Sequence, residues 1–132
     1  MASNSARASG PVAATATANL ATGAGVAQWV RVTRNATTGD VKFYTAADAT
    51  TPGAWTQVGA TRTTTVGGIF DSNLPLSIGV RFNGLYPLAG KLYRAQIRNG
   101  LDGTLVFDAD LTTKTVGART FTESSSNAAT VT

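Results

Sequence analysis

Gln28-Trp29-Val30-Arg31-Val32-Thr33-Arg34 sets Val30 and Val32 on one side of an extended chain and Arg31 and Thr33 on the other. A two-residue period marks a half-buried β-strand, because successive side chains of a pleated strand point to opposite faces. Asn35-Ala36-Thr37-Thr38-Gly39-Asp40 follows as a run of turn formers. Val41-Lys42-Phe43-Tyr44-Thr45 then resumes the alternation, with Val41 and Phe43 matching the Val30/Val32 face. Two alternating runs joined by such a connector predict a β-hairpin.

The same period continues outward from this hairpin. Thr51-Pro52-Gly53 breaks the chain before Trp55-Thr56-Gln57-Val58, and the Thr-rich residues 61–66 suit an exposed or edge strand, since the β-branch fits the pleat. Leu76, Ile78, Val80 and Phe82 alternate with Ser77, Gly79 and Arg81, which predicts the clearest strand of the chain. After the loop of residues 83–90, Tyr93, Ala95 and Ile97 oppose Arg94, Gln96 and Arg98. Leu105, Phe107, Ala109 and Leu111 then alternate with Thr104, Val106, Asp108 and Asp110, and a last short strand surrounds Phe121. No stretch combines a 3.6-residue period with helix caps, so no helix beyond an isolated turn is expected. About seven strands in about a hundred residues predict an all-β chain, an antiparallel β-sandwich or barrel.

The length of 132 residues is that of one domain, with a single core and tails. Composition shifts near residue 28: residues 1–28 hold ten Ala, no aromatic or acidic residue, and Arg7 as the only charge. Such a segment buries too little to offset its ordering entropy alone, so residues 1–26 are expected to form an extended arm and residues 27–132 the sandwich. Polar residues interrupt any apolar stretch after Arg7, so the start is read as mature protein and not as a signal peptide. No apolar run approaches the roughly 20 residues of a membrane helix, and no membrane partner is expected.

At Trp29-Val30-Arg31-Val32-Thr33, Val41-Lys42-Phe43-Tyr44-Thr45 and Trp55-Thr56-Gln57-Val58-Gly59, the order of words resembles the concanavalin A-like lectin/glucanase superfamily in its laminin-G-like branch. The likeness continues through Phe70-Asp71-Ser72, Pro75-Leu76-Ser77-Ile78-Gly79 and residues 90–100, and covers about residues 27–123. It is similar in particular to versions found in tail and other virion proteins of phages that infect actinobacteria. The resemblance implies a lectin-like jelly roll. Family members usually carry earlier strands that complete both sheets, whereas here only the Ala/Thr-rich arm precedes Trp29. The implied jelly roll is therefore reduced, with an edge or apolar face that needs cover from another chain.

The residue inventory excludes most catalytic chemistry. Cysteine and histidine are both absent, which removes thiolate nucleophiles, the commonest general base and the commonest transition-metal ligands. Glycan-cleaving members of the superfamily use paired carboxylates, but this chain has Glu123 as its one glutamate. Asp108 and Asp110 lie two apart on one strand face and read as a solvated pair. Asp71, Asn73, Asp102 and Asp108 form no local calcium-ligand run. Neither the glycines at 84 and 90 nor those at 23 and 25 complete a phosphate or dinucleotide motif. No catalytic residue, metal or cofactor is expected. The formal sequon Asn35-Ala36-Thr37 sits in a turn and has no role in a phage protein.

The net charge of +4 arises from eight Arg and three Lys against seven acids, spread along the chain with no basic cluster, so no nucleic-acid partner is expected. With the resemblance, these readings predict a non-enzymatic structural or adhesive virion protein, a capsid decoration or minor capsid protein whose partners are other virion proteins and copies of itself. The alternative is a carbohydrate-binding module of a phage tail, with Trp55, Arg81, Asn83 and Tyr86 near the glycan. Trp55 in a core role would instead pack beside Phe43. The arm is expected to bind neighbours through its main chain, with Val12, Leu20 and Val26 as small apolar anchors.

Overall fold

A computed structural model describes residues 14–16, 18, 25–69, 76–79 and 87–132. The chain divides into two compact units, Met1–Asp71 and Ser72–Thr132. Among the described residues it is all-β, with eight strands and a single 3-10 turn. The sheets are small, and none of them closes on itself.

In the first unit, β1 (Gln28–Arg34) and β2 (Asp40–Ala47) form the expected hairpin, antiparallel from Gln28 opposite Ala47 to Arg34 opposite Val41. The turn closes through Asn35. Its N–H donates to the Asp40 carbonyl (2.9 Å), its carbonyl accepts from Gly39 N–H (2.8 Å), and its side-chain oxygen accepts from the N–H groups of Thr37 and Thr38. β3 (Thr56–Gln57) pairs with β2 at Tyr44 and Thr45, and β4 (Arg62–Thr63) pairs with β2 at Asp40 and Val41. The expected strands around Trp55 and across residues 61–66 are thus cut to two residues each.

Register puts Val30, Val32, Val41 and Phe43 on one face, as the alternation predicts. The burial of that face differs from expectation. Val41 is buried, but Val30 and Val32 are 51% and 57% exposed. Val41 pairs with Arg62 of β4 and lies opposite Arg34, whose guanidinium donates to the carbonyls of Gly67 and Thr65 (both 2.8 Å). The opposite face, with Trp29, Arg31 and Thr33, is half-buried. There the Trp29 indole N–H donates to the Ala49 carbonyl (2.8 Å), and Ala46 lies buried opposite Trp29.

In the second unit, β5 (Arg94–Asn99) and β6 (Thr104–Asp110) form an antiparallel ribbon with a register shift between Ile97 and Arg98. The connecting turn is tight: a Cβ at Gly103 would collide with the Asn99 carbonyl. Asp110 caps the 3-10 turn Leu111–Thr113 by accepting from Thr112 N–H (3.0 Å). β7 (Phe121–Thr122), expected around Phe121, pairs with β8 (Thr130–Val131), which the alternation does not foretell. The clear strand expected over residues 76–82 is absent at 76–79, and residues 80–82 lie outside the described residues. Gly79 takes φ 79°, and its carbonyl accepts from Leu88 N–H (2.7 Å).

Gly39 is buried at φ 76°, and a Cβ there would run into the Thr64 carbonyl, whose own N–H donates to the Gly39 carbonyl (2.8 Å). Replacing it combines backbone strain with a backbone collision. Gly39→Ala is expected to destabilise the first unit by about 1 to 3 kcal/mol. Denaturant unfolding followed by tryptophan fluorescence reads this unit selectively, since both Trp29 and Trp55 lie in it.

Candidate functional site

Cross-strand register assembles the most distinctive side-chain cluster of the first unit. Arg31 on β1 stands opposite Tyr44 on β2, which stands opposite Gln57 on β3. Trp55, just before β3, joins this row: the Arg31 guanidinium lies 5.5 Å from the Trp55 ring centroid and 6.0 Å from that of Tyr44. A guanidinium over an aromatic face is attracted by the ring quadrupole, worth about 0.5 to 1 kcal/mol at sites open to water. Arg31, Tyr44 and Trp55 are each half-buried, and Gln57 is exposed. The Gln57 side-chain N–H groups donate to the Gly59 carbonyl (3.0 Å) and the Thr61 hydroxyl (3.4 Å), which fixes the amide plane. Flat aromatic surface beside fixed polar groups on an open sheet can stack on a planar or sugar-like ligand.

This placement corrects the core role of Trp55. Phe43 lies on the opposite face from Tyr44 by the alternation of β2, so Trp55 keeps company with Arg31 and Tyr44 instead. Of the other residues expected near a glycan, Arg81, Asn83 and Tyr86 lie outside the described residues, as do the arm anchors Val12 and Leu20. Val26 is described and 62% exposed. Sequence reasoning missed Arg31 and Tyr44, although a hairpin closing at Arg34 and Val41 already places residues 31 and 44 opposite each other.

The carboxylates of the second unit correct the reading of Asp108 and Asp110 as a solvated pair, because Asp108 is buried. Arg94 grips Asp108 with two parallel bonds, Nε to Oδ1 (2.8 Å) and Nη2 to Oδ2 (2.6 Å), and Gln96 adds a third donor to Oδ1 (3.2 Å). The Arg94 bond holds the Asp108 carboxyl below its ordinary range; burial opposes this, and Gln96 supports it. Glu123 is buried and accepts four bonds: from Ser125 N–H (2.6 Å), the Ser125 hydroxyl (2.7 Å), Asp108 N–H (2.8 Å) and Ala129 N–H (3.0 Å). Burial pushes its pKa up, but the Ser125 and Ala129 amides, the Ser125 hydroxyl and the Asp108 amide outweigh that and bring it to about 2. These are ionised acceptors with their lone pairs engaged. A general acid in glycan cleavage needs the reverse, a carboxyl kept protonated near neutrality. Among the described residues, no three acidic side chains gather where they could hold a metal ion.

Comparison with known proteins returned no match: no family model, no curated protein and no solved structure is similar to this chain.

Because the folded pKa of Glu123 lies below its ordinary 4.5, its contribution to stability is complete above about 4.5 and is lost as pH falls toward about 2. Thermal unfolding of the second unit is expected to show this loss between those limits. Glu123→Gln should lower the melting temperature at pH 7, and its difference from the wild type should vanish near pH 2. A constant difference across that range would refute the assignment.

Proposed function

We propose that this chain is a non-enzymatic structural protein of a multi-subunit assembly. In its finer form, the proposal is a bacteriophage capsid decoration or minor capsid protein, whose sheets belong to a reduced lectin-like β-sandwich. One observation carries the reading. Among the described residues the buried apolar side chains are Val41, Ala46 and Ala109, while thirteen large apolar residues, Val30, Val32, Ile69 and Leu76 among them, stand exposed. Folding costs about 1 to 2 kcal/mol of backbone entropy per residue, and burial of apolar surface is the main term that offsets it. Apolar surface left bare to this extent among the described residues suits cover by other chains. The engagement of Asp108 and Glu123 in structural bonds supports the non-enzymatic part of the reading, and the family resemblance supports the virion.

Sedimentation of the purified chain tests the assembly. Concentration-dependent association is expected, and the double change Val30→Ser with Val32→Ser should weaken it about tenfold or more, since each valine is worth about 1.5 kcal/mol or more when buried. A well-folded monomer at every concentration, together with its absence from mature particles, would overturn the proposal.

The Arg31, Tyr44 and Trp55 cluster favours a second reading, a carbohydrate-binding module of a tail or surface protein. Stacking of a sugar ring on the aromatic surface of Trp55, beside Tyr44 and Arg31, is the expected mode. A glycan array at millimolar ligand, with and without calcium, should then give binding that Trp55→Ala removes. No binding on the array sinks this reading.

A further inference from the structure

The bond from Leu111 N–H to the Tyr93 carbonyl (2.9 Å) fixes the phase of the β5–β6 ladder. Alternation then makes Ala95 with Ala109 and Ile97 with Phe107 the bonded pairs, and turns the N–H and C=O groups of Arg94, Gln96 and Asp108 away from the ribbon. On β6 those outward groups are all occupied. Asp108 N–H donates to Glu123, the Asp108 carbonyl accepts from the Ser124 N–H (2.9 Å) and hydroxyl (3.0 Å), and the Val106 carbonyl accepts from Ser125 Oγ (3.0 Å) and Asn127 Nδ2 (2.7 Å). On β5 the outward backbone groups of Arg94 and Gln96 have no partner among the described residues. Among the described residues, the ribbon is sealed along one edge and open along the other. A two-stranded ribbon is marginal in water, and an open edge is a template for a further strand.

Which strand fits is set by charge. Pairing of two β5 edges about Gln96 would place Arg94 opposite Arg98 in both directions, and like charges directly opposed are unfavourable. The occupant must lack basic residues. Residues 8–26 carry no charge, and residues 14–18 read Ala-Thr-Ala-Thr-Ala, a period-two pattern whose threonines suit the pleat. Residues 14–16 and 18 belong to no strand and make no hydrogen bond among the described residues. Among the described residues, both the β5 edge and this uncharged segment are thus without a backbone partner.

We infer that the outer edge of β5 is an assembly site, filled by the segment around residues 14–18 of a second copy of this chain. The inference rests on the assembly reading above and adds to it where and how two copies join. The added strand receives the Arg94 and Gln96 N–H groups and donates to their carbonyls, while the uncharged Ala/Thr side chains tolerate the neighbouring Lys91 and Arg98.

Amide exchange of the full chain, read residue by residue by NMR below and above its association concentration, tests this. The Arg94 and Gln96 amides are expected to slow at least tenfold on association, and the Ala95 and Ile97 amides, bonded within the ribbon, to stay protected in both states. Thr15→Pro with Thr17→Pro removes two donors from the added strand without touching β5 or β6, and should abolish the slowing. Association with no change at Arg94 and Gln96 would overturn the edge site and leave the assembly reading standing. Slowing that persists in the proline variant would overturn the assigned occupant. Absence of association at any concentration would remove both the inference and the reading beneath it.

Discussion

The Glu123 carboxylate is the interaction on which the second unit depends. Two oxygens draw together three backbone N–H groups and a hydroxyl from β6 and from both sides of the loop between β7 and β8. The loop is not relaxed: Ala128 sits at φ 48°, a conformation that L side chains other than asparagine and aspartate rarely adopt. The neighbouring Ala129 N–H donates to Glu123, so the same carboxylate that joins the loop to β6 holds this turn in place. Without that acceptor, the Asp108 amide would be left inside with no partner. An unpaired buried donor costs about 1 to 3 kcal/mol, more than the net worth of most single hydrogen bonds. Removing the acceptor is therefore a larger perturbation than a count of contacts suggests.

The first unit uses the same device with the charges reversed. There a cation, Arg34, gathers two carbonyls of the 65–67 segment, and Asn35 gathers the amides of its own turn. In both units, side chains bonded to backbone do the shaping that a large apolar core does elsewhere. No buried side-chain nitrogen or oxygen is left without a partner among the described residues. Directional bonds of this kind specify geometry well but supply little net free energy, because folding exchanges them for bonds to water. Where bonds of this kind set the geometry, binding to a partner adds stability by mass action.

The sequence made the hairpin legible because two signals agreed: the alternation of residues 28–34 and 41–45, and the turn chemistry of Asn35 and Gly39 between them. The strands β5 and β6 were legible from alternation alone, and their pairing was not. The strand expected at residues 76–79 failed because alternation alone was followed, while Gly79 offered a positive φ that a continuous strand does not use. Burial was the least legible feature. Val30 and Val32 announce an inward face by their chemistry, yet they stand exposed, while on the other face Trp29 and Arg31 are half-buried beside Ala46 and Trp55, through contacts that no local pattern signals. Glu123 was read only as a catalytic candidate to be dismissed. Its four donors come from residues 108, 125 and 129, and no local pattern signals that convergence.

The basic charge of the chain also finds an account in the bonds of single arginines. Arg31 lies over Tyr44 and Trp55, Arg34 donates to two carbonyls, Arg94 grips Asp108, and Arg98 donates to the Gly103 carbonyl (3.2 Å). Each sits where its planar fork of donors answers a specific local need, a use for which lysine is poorly suited. Positive charges fixed in this manner are dispersed over two units and point in directions set by their partners. A polyanion binds best where several cations share one surface and remain free to neutralise successive phosphates. Arginine as a structural fastener accounts for four of the eight arginines, each engaged in a contact within its own unit.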